Sequence, residues 1–105
     1  MDSISLARFF VEYLEKAKAK NIQIVQAKSS KIFDYIVVCT SPDKYASQSM
    51  LVGLLDFAKN SLNIINNGIE GYKKADWIAI DYGKLQVHIM LEDTRKKYNI
   101  EKLWA

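Results

Sequence analysis

Leu6, Phe9, Phe10, Tyr13, Leu14 and Ala17 recur at three- and four-residue spacing, which predicts a first helix over residues 3–20. Ser3 is its expected N-cap, and Lys16, Lys18 and Lys20 suit its last turns, where the helix dipole favours positive charge. Asn21 is the expected stop. Residues 22–27 read as a short strand and residues 28–31 as a polar break. Residues 33–40 form a near-continuous β-branched and aromatic run, as in a central strand covered on both faces. Ser41-Pro42-Asp43 ends that strand, with Pro42 expected just inside the next helix. Met50, Leu51, Leu54, Leu55, Ala58 and Leu62 then mark one face of a second helix, Lys44 to Leu62. Gly53 in its middle costs about 1 kcal/mol against Ala and is expected to mark close packing on the sheet. Residues 64–69 fit either a short strand or a turn, because Asn67-Gly68 interrupts them.

Two alternating runs follow, around a Tyr82-Gly83 turn, the pattern of a β-hairpin. A tight turn there sets Ile80 opposite Leu85, Ile78 opposite Val87 and Trp77 opposite His88. Period-two alternation gives one face Ile78, Ile80, Leu85, Val87, Ile89 and Leu91, and the other Trp77, Ala79, Asp81, Gln86, His88 and Met90. The aliphatic face belongs in a core. The mixed face is polar enough to meet water, yet it holds a Trp and a Met, the composition of a contact surface. A third, short helix over Glu92 to Tyr98 sets Leu91, Arg95 and Tyr98 on one side, and Ile100, Leu103 and Trp104 form an apolar tail expected to fold back. The element order predicts a single α/β domain over residues 1–105: a five-stranded mixed sheet, with one parallel crossover and an antiparallel hairpin, flanked by helices.

Half of the 105 residues are hydrophobic and 26% are charged, the balance of a soluble globular domain. No run approaches the roughly 18 apolar residues of a membrane span, and Asp2 and Ser3 lead straight into an amphipathic pattern, so a cytoplasmic location without membrane attachment is expected. The net charge of +3 permits a phosphate-rich partner, but the lysines are interleaved with Asp and Glu, so sequence-reading of DNA or RNA is not expected.

Candidate chemistry is sparse. Cys39 is the only cysteine and lies in an apolar run, which fits a buried strand residue better than a nucleophile. Asp81 and His88 share the mixed face but stand three or four residue rises apart, too far for an acid–base pair. One His and one Cys make no zinc constellation, and the four glycines form no phosphate loop. No catalytic residue, metal or cofactor is expected. Trp77 beside hydrogen-bonding groups has the composition of an interface hot spot. The enzymatic alternative is a small nucleotidyltransferase using Asp76, Asp81 and Glu92 around magnesium.

Asp34-Tyr35 opening an apolar strand, Glu70-Gly71, Trp77, Asp81-Tyr82-Gly83, Val87-His88, Arg95, Tyr98 and Leu103-Trp104 together resemble the ribosomal silencing factors, the Iojap family, over nearly the whole chain. The resemblance implies a nucleotidyltransferase-like fold without the transferase signature, and a non-enzymatic translational repressor. It implies binding to a large-ribosomal-subunit protein, the fourteenth in the customary numbering, that obstructs joining with the small subunit; organellar relatives act in large-subunit assembly. On that reading Trp77 is the apolar anchor of the partner-binding face, Asp81, Tyr82 and His88 supply polar contacts, and Met90 belongs to the same surface. A homodimer through that face is the competing assembly. The chain departs from the family pattern at Thr40-Ser41-Pro42-Asp43-Lys44-Tyr45-Ala46-Ser47, where relatives usually carry Thr-Gly followed by an Arg and a Gln or His.

Overall fold

A computed structural model describes residues 1–105. The elements are α1 (Ser3–Lys16), β1 (Lys20–Gln26), β2 (Tyr35–Ser41), α2 (Lys44–Leu62), β3 (Gly68–Glu70), β4 (Trp77–Asp81), β5 (Leu85–Leu91), α3 (Glu92–Tyr98) and α4 (Ile100–Trp104). One five-stranded sheet runs in the order β1-β2-β5-β4-β3. β2 pairs with β5 in parallel, and every other neighbouring pair is antiparallel. The chain crosses from β2 through α2 to the far edge at β3, then folds inward through β4 to β5. β3 therefore runs parallel to β2, which is the predicted crossover, and the mixed sheet flanked by helices is the predicted fold class.

The sheet divides two apolar layers. Leu6, Phe10 and Leu14 of α1 and Met50, Leu51 and Leu54 of α2 pack on Val37, Cys39, Ile78, Ile80, Val87 and Ile89. On the opposite face Ile36, Val38 and Met90 meet Phe33, Ala27 and Ile100, with Trp77 and Trp104 at the border. β2 is buried on both faces along nearly its whole length, as its apolar run requires.

Several local expectations are corrected. Helix α1 ends at Lys16 rather than Lys20, and its N-cap is Asp2, whose carboxylate accepts from Ser5 N at 2.8 Å. The stop is Lys18 at φ 65: Lys18 N–H bonds Glu15 O and Ala19 N–H bonds Leu14 O, a Schellman closure that satisfies the last carbonyls four residues before the lysines run out. Asn21, at φ 51, makes a bulge inside β1 instead of a helix stop. Pro42 stands outside α2, one residue before the Asp43 N-cap, whose carboxylate accepts from Ala46 N at 2.7 Å. Gly53 faces α1 rather than the sheet: a Cβ there would collide with the Tyr13 hydroxyl, which donates to Met50 O at 3.3 Å. The ambiguous stretch resolves into the three-residue strand β3.

The hairpin register is shifted by two from the expected one. Ile80 faces Val87, Ile78 faces Ile89 and Trp77 faces Met90. The turn residues are Gly83 and Lys84, flanked by the Tyr82 N–H to Leu85 O bond at 2.9 Å, and Gly83 sits at φ 83, the left-handed region that favours glycine. An even shift leaves every side chain on its predicted face. At the end of the chain Ile100 is buried and Trp104 meets Phe33 edge-on at 5.0 Å, but Leu103 of the apolar tail points outward and is 64% exposed.

Candidate functional site

The mixed face is only partly covered. α3 and α4 close over β1, β2 and the start of β4, whereas the sheet over β3 and the far half of β4 stays open. Register arranges the open part in two rows, Gly68–Asp81–Gln86 and Glu70–Ala79–His88, with Trp77–Met90 beyond them. Glu70 and Asp81 stand diagonally, their backbones about 7–8 Å apart, around the two smallest residues, Gly68 and Ala79. A hollow of about 440 Å³ opens there. Neither carboxylate is held in an ion pair.

Trp77 marks the border between the open and covered parts. Its half-buried indole lies against Tyr98 of α3, ring centroids 5.0 Å apart, and Tyr98 is 51% exposed. Trp77 Nε1–H donates to His88 Nδ1 at 2.9 Å, and His88 Nε2 lies 3.1 Å from Gln86 Oε1. An indole only donates, so Nδ1 carries the lone pair and Nε2–H donates to Gln86. His88 is 5% exposed, and burial pushes its pKa down to about 4, against a smaller opposing pull from Glu101. It is neutral at pH 7 and fixes the plane of the Trp77 ring.

The five residues expected to meet a partner are thus distributed unevenly. Trp77 is partly open, and Asp81 is exposed with one oxygen accepting from Gly83 N at 2.7 Å. His88 lies beneath Trp77, so the water-facing position expected for it is corrected: the indole and α3 cover what the strand pattern leaves bare. Met90 has no exposed surface and supports Trp77 from the second core. Tyr82 belongs to the other face, because alternation past Asp81 turns it toward α1. It packs on Phe10 at 4.9 Å, its hydroxyl buried without a partner, and burial raises its pKa to about 12. Glu70 and Tyr98 join the open face without having been read as part of it. Their signals were the strand at Gly68–Glu70 and the helix after β5, both too short for periodicity to aim a side chain.

Other chemistry is not assembled. Asp76 pairs with Lys74 at 3.7 Å where β4 begins, near Glu92 at the end of β5, while Asp81 ends β4 at the opposite edge. The proposed magnesium trio is therefore split, and no group of three or more His, Cys, Asp or Glu side chains gathers at metal-binding distance. Cys39 is fully buried, and burial pushes its thiol up to about 12, so it is a small hydrophobe. Arg95 is buried as a clamp: it donates to Asn21 O at 2.6 Å and Thr40 Oγ1 at 2.9 Å, and pairs with Glu101 at 3.2 Å.

The profile of the family described as "Ribosomal silencing factor during starvation" matches residues 1–105. The chain belongs to the ribosomal silencing factor family. Ribosomal silencing factor RsfS of Haemophilus influenzae is 36% identical over 104 residues, covering 97% of this chain and all of that protein. The mouse protein named mitochondrial assembly of ribosomal large subunit protein 1 is 30% identical over 99 residues, 90% of this chain and 43% of that one. A crystal structure of a Chromobacterium violaceum protein superposes with a TM-score of 0.92 at 26% identity, covering 99% of this chain and 87% of that one. A ribosomal silencing factor regulates translation.

Proposed function

We propose that this ribosomal silencing factor acts in the cytoplasm by seating its open sheet face on a protein of the large ribosomal subunit, the fourteenth in the customary numbering, and by holding the small subunit away through bulk. The observation that carries the reading is the Trp77 indole, held rigid by His88 and Tyr98 at the edge of an uncovered face whose other end bears the unpaired carboxylates of Glu70 and Asp81. A fixed aromatic anchor loses little freedom on binding. The carboxylates favour a basic partner surface, which sets register and specificity more than affinity.

A specific complex covers about 800 Å² per side, roughly an eighth of the 6374 Å² surface of this chain. Co-sedimentation with isolated large and small subunits, followed by a subunit-joining assay, tests the proposal. The wild-type chain travels with large subunits alone and blocks joining. Trp77→Ala weakens that binding by about 2 kcal/mol or more. A melting curve of the variant separates lost contact from lost stability. Migration with neither subunit would sink the reading, and a dimer formed through the same face would appear as binding that weakens with rising protein concentration.

A further inference from the structure

We propose that the outer face of α2, together with the turn before β4, is a second contact surface, built for a strand of RNA. Tyr45 is 81% exposed and Tyr72 is 44% exposed, and both line a hollow of about 460 Å³ floored by Ser49 and Gly53 and bordered by Val52. Tyr45, Ser49 and Val52 fall at i, i+4 and i+7, one stripe of the helix. Gln48 Nε2 donates to Tyr72 O at 2.9 Å, so the turn is tied to the helix and the two rings belong to one surface.

Two free lysines flank the rings. Lys44 and Lys73, each beside a tyrosine in sequence, are exposed and unpaired. Asp43 caps α2, Asp76 pairs with Lys74, Asp56 one turn beyond Val52 accepts only from Asn60, and Glu70 belongs to the opposite sheet face. No carboxylate lines the hollow. Exposed rings for stacking with free ammonium groups for phosphate are the parts of a sequence-tolerant single-strand surface. A protein contact would call for a broader apolar area, and Val52 is the one exposed aliphatic side chain bordering the hollow. The platform lies on the α2 side of the sheet, opposite the face that carries Trp77, and only the choice of ribosomal RNA as its ligand rests on the ribosome-binding reading.

The full-length chain, irradiated at 254 nm with isolated large subunits, is expected to yield nucleotide adducts on the peptides holding Tyr45 or Tyr72. With deproteinised large-subunit RNA, Tyr45→Ala combined with Tyr72→Ala lowers affinity by about thirtyfold or more. Lys44→Glu combined with Lys73→Glu flattens the salt dependence, reducing the slope of log affinity against log salt by about 1.4. Melting curves confirm that these surface variants fold. Unmodified tyrosines together with unchanged RNA affinity in both variants overturn the proposal, and so do crosslinks from Tyr45 or Tyr72 to ribosomal protein. A chain that binds this RNA through the tyrosines yet fails to sediment with subunits supports the platform while removing the ribosome-docking reading.

Discussion

His88 shows how a side chain that looks reactive becomes a support. Its two nitrogens are committed to Trp77 and Gln86, and the protonated ring would turn Nδ1 from acceptor to donor against the indole N–H. The folded-state pKa of about 4 lies below the ordinary 6.5, so the unfolded chain takes up the proton first as pH falls. Full stability from this group is present above pH 6.5 and is lost progressively down to about pH 4, about 3 kcal/mol in all. Thermal melts between pH 7 and pH 4 are expected to show that loss, and His88→Asn, which cannot titrate, is expected to flatten the profile between pH 6.5 and 5. An unchanged slope in the variant would show that carboxylates dominate the window. The sequence placed His88 on the right face beside Trp77. Its burial was not legible, because the cover comes from the indole itself and from helices that return from the far end of the chain. Tyr82 was misplaced for a different reason: assigned to the turn, it escaped the alternation that in fact governs it.

At the level of elements, period-two patterning survived an error in register. The hairpin turn lies one residue later than the sequence suggested, and both faces are nonetheless as read, since the shift is even. Helix ends were less legible. Lysine favours continuation, but Lys18 accepts the left-handed conformation once two closing hydrogen bonds repay it. Gly71 carries a comparable constraint beside the site: it stands at φ 84, with the backbone carbonyl of Trp77 where a Cβ would be. Gly71→Ala is expected to destabilise by about 2 kcal/mol or more and to displace Trp77, read by chemical denaturation and by tryptophan fluorescence. Arg95 does for the short α3 what length does for α1 and α2, joining β1, β2 and α4 through one guanidinium. Arg95→Ala strands the Glu101 carboxylate and two acceptors and is expected to cost about 3 kcal/mol. Arg95→Lys recovers little of it, because one ammonium cannot span the same three acceptors.

For the whole molecule, strand order decides which readings are open. The layers were legible, because an aliphatic face and a mixed face can be counted along the chain. Which part of the mixed face stays bare was not, because it depends on where α3 and α4 fold back, and α4 begins only after Asn99 turns the backbone at φ 44. The same topology separates the carboxylates that an enzymatic reading would need together. Asp76 and Asp81 bracket β4, and five residues of extended chain span about 17 Å, well beyond the reach of one cation. A nucleoside triphosphate with magnesium at one hundred times a dissociation constant would stabilise the fold by about 2.7 kcal/mol. For a domain of this size that is a rise in Tm of roughly ten degrees or more. The expected outcome is a shift within about one degree for each of the four common triphosphates, with and without magnesium. A rise of several degrees that disappears with chelator would mean that the chain builds a cation site by moving β4, and the sheet face could then no longer be treated as a rigid docking surface.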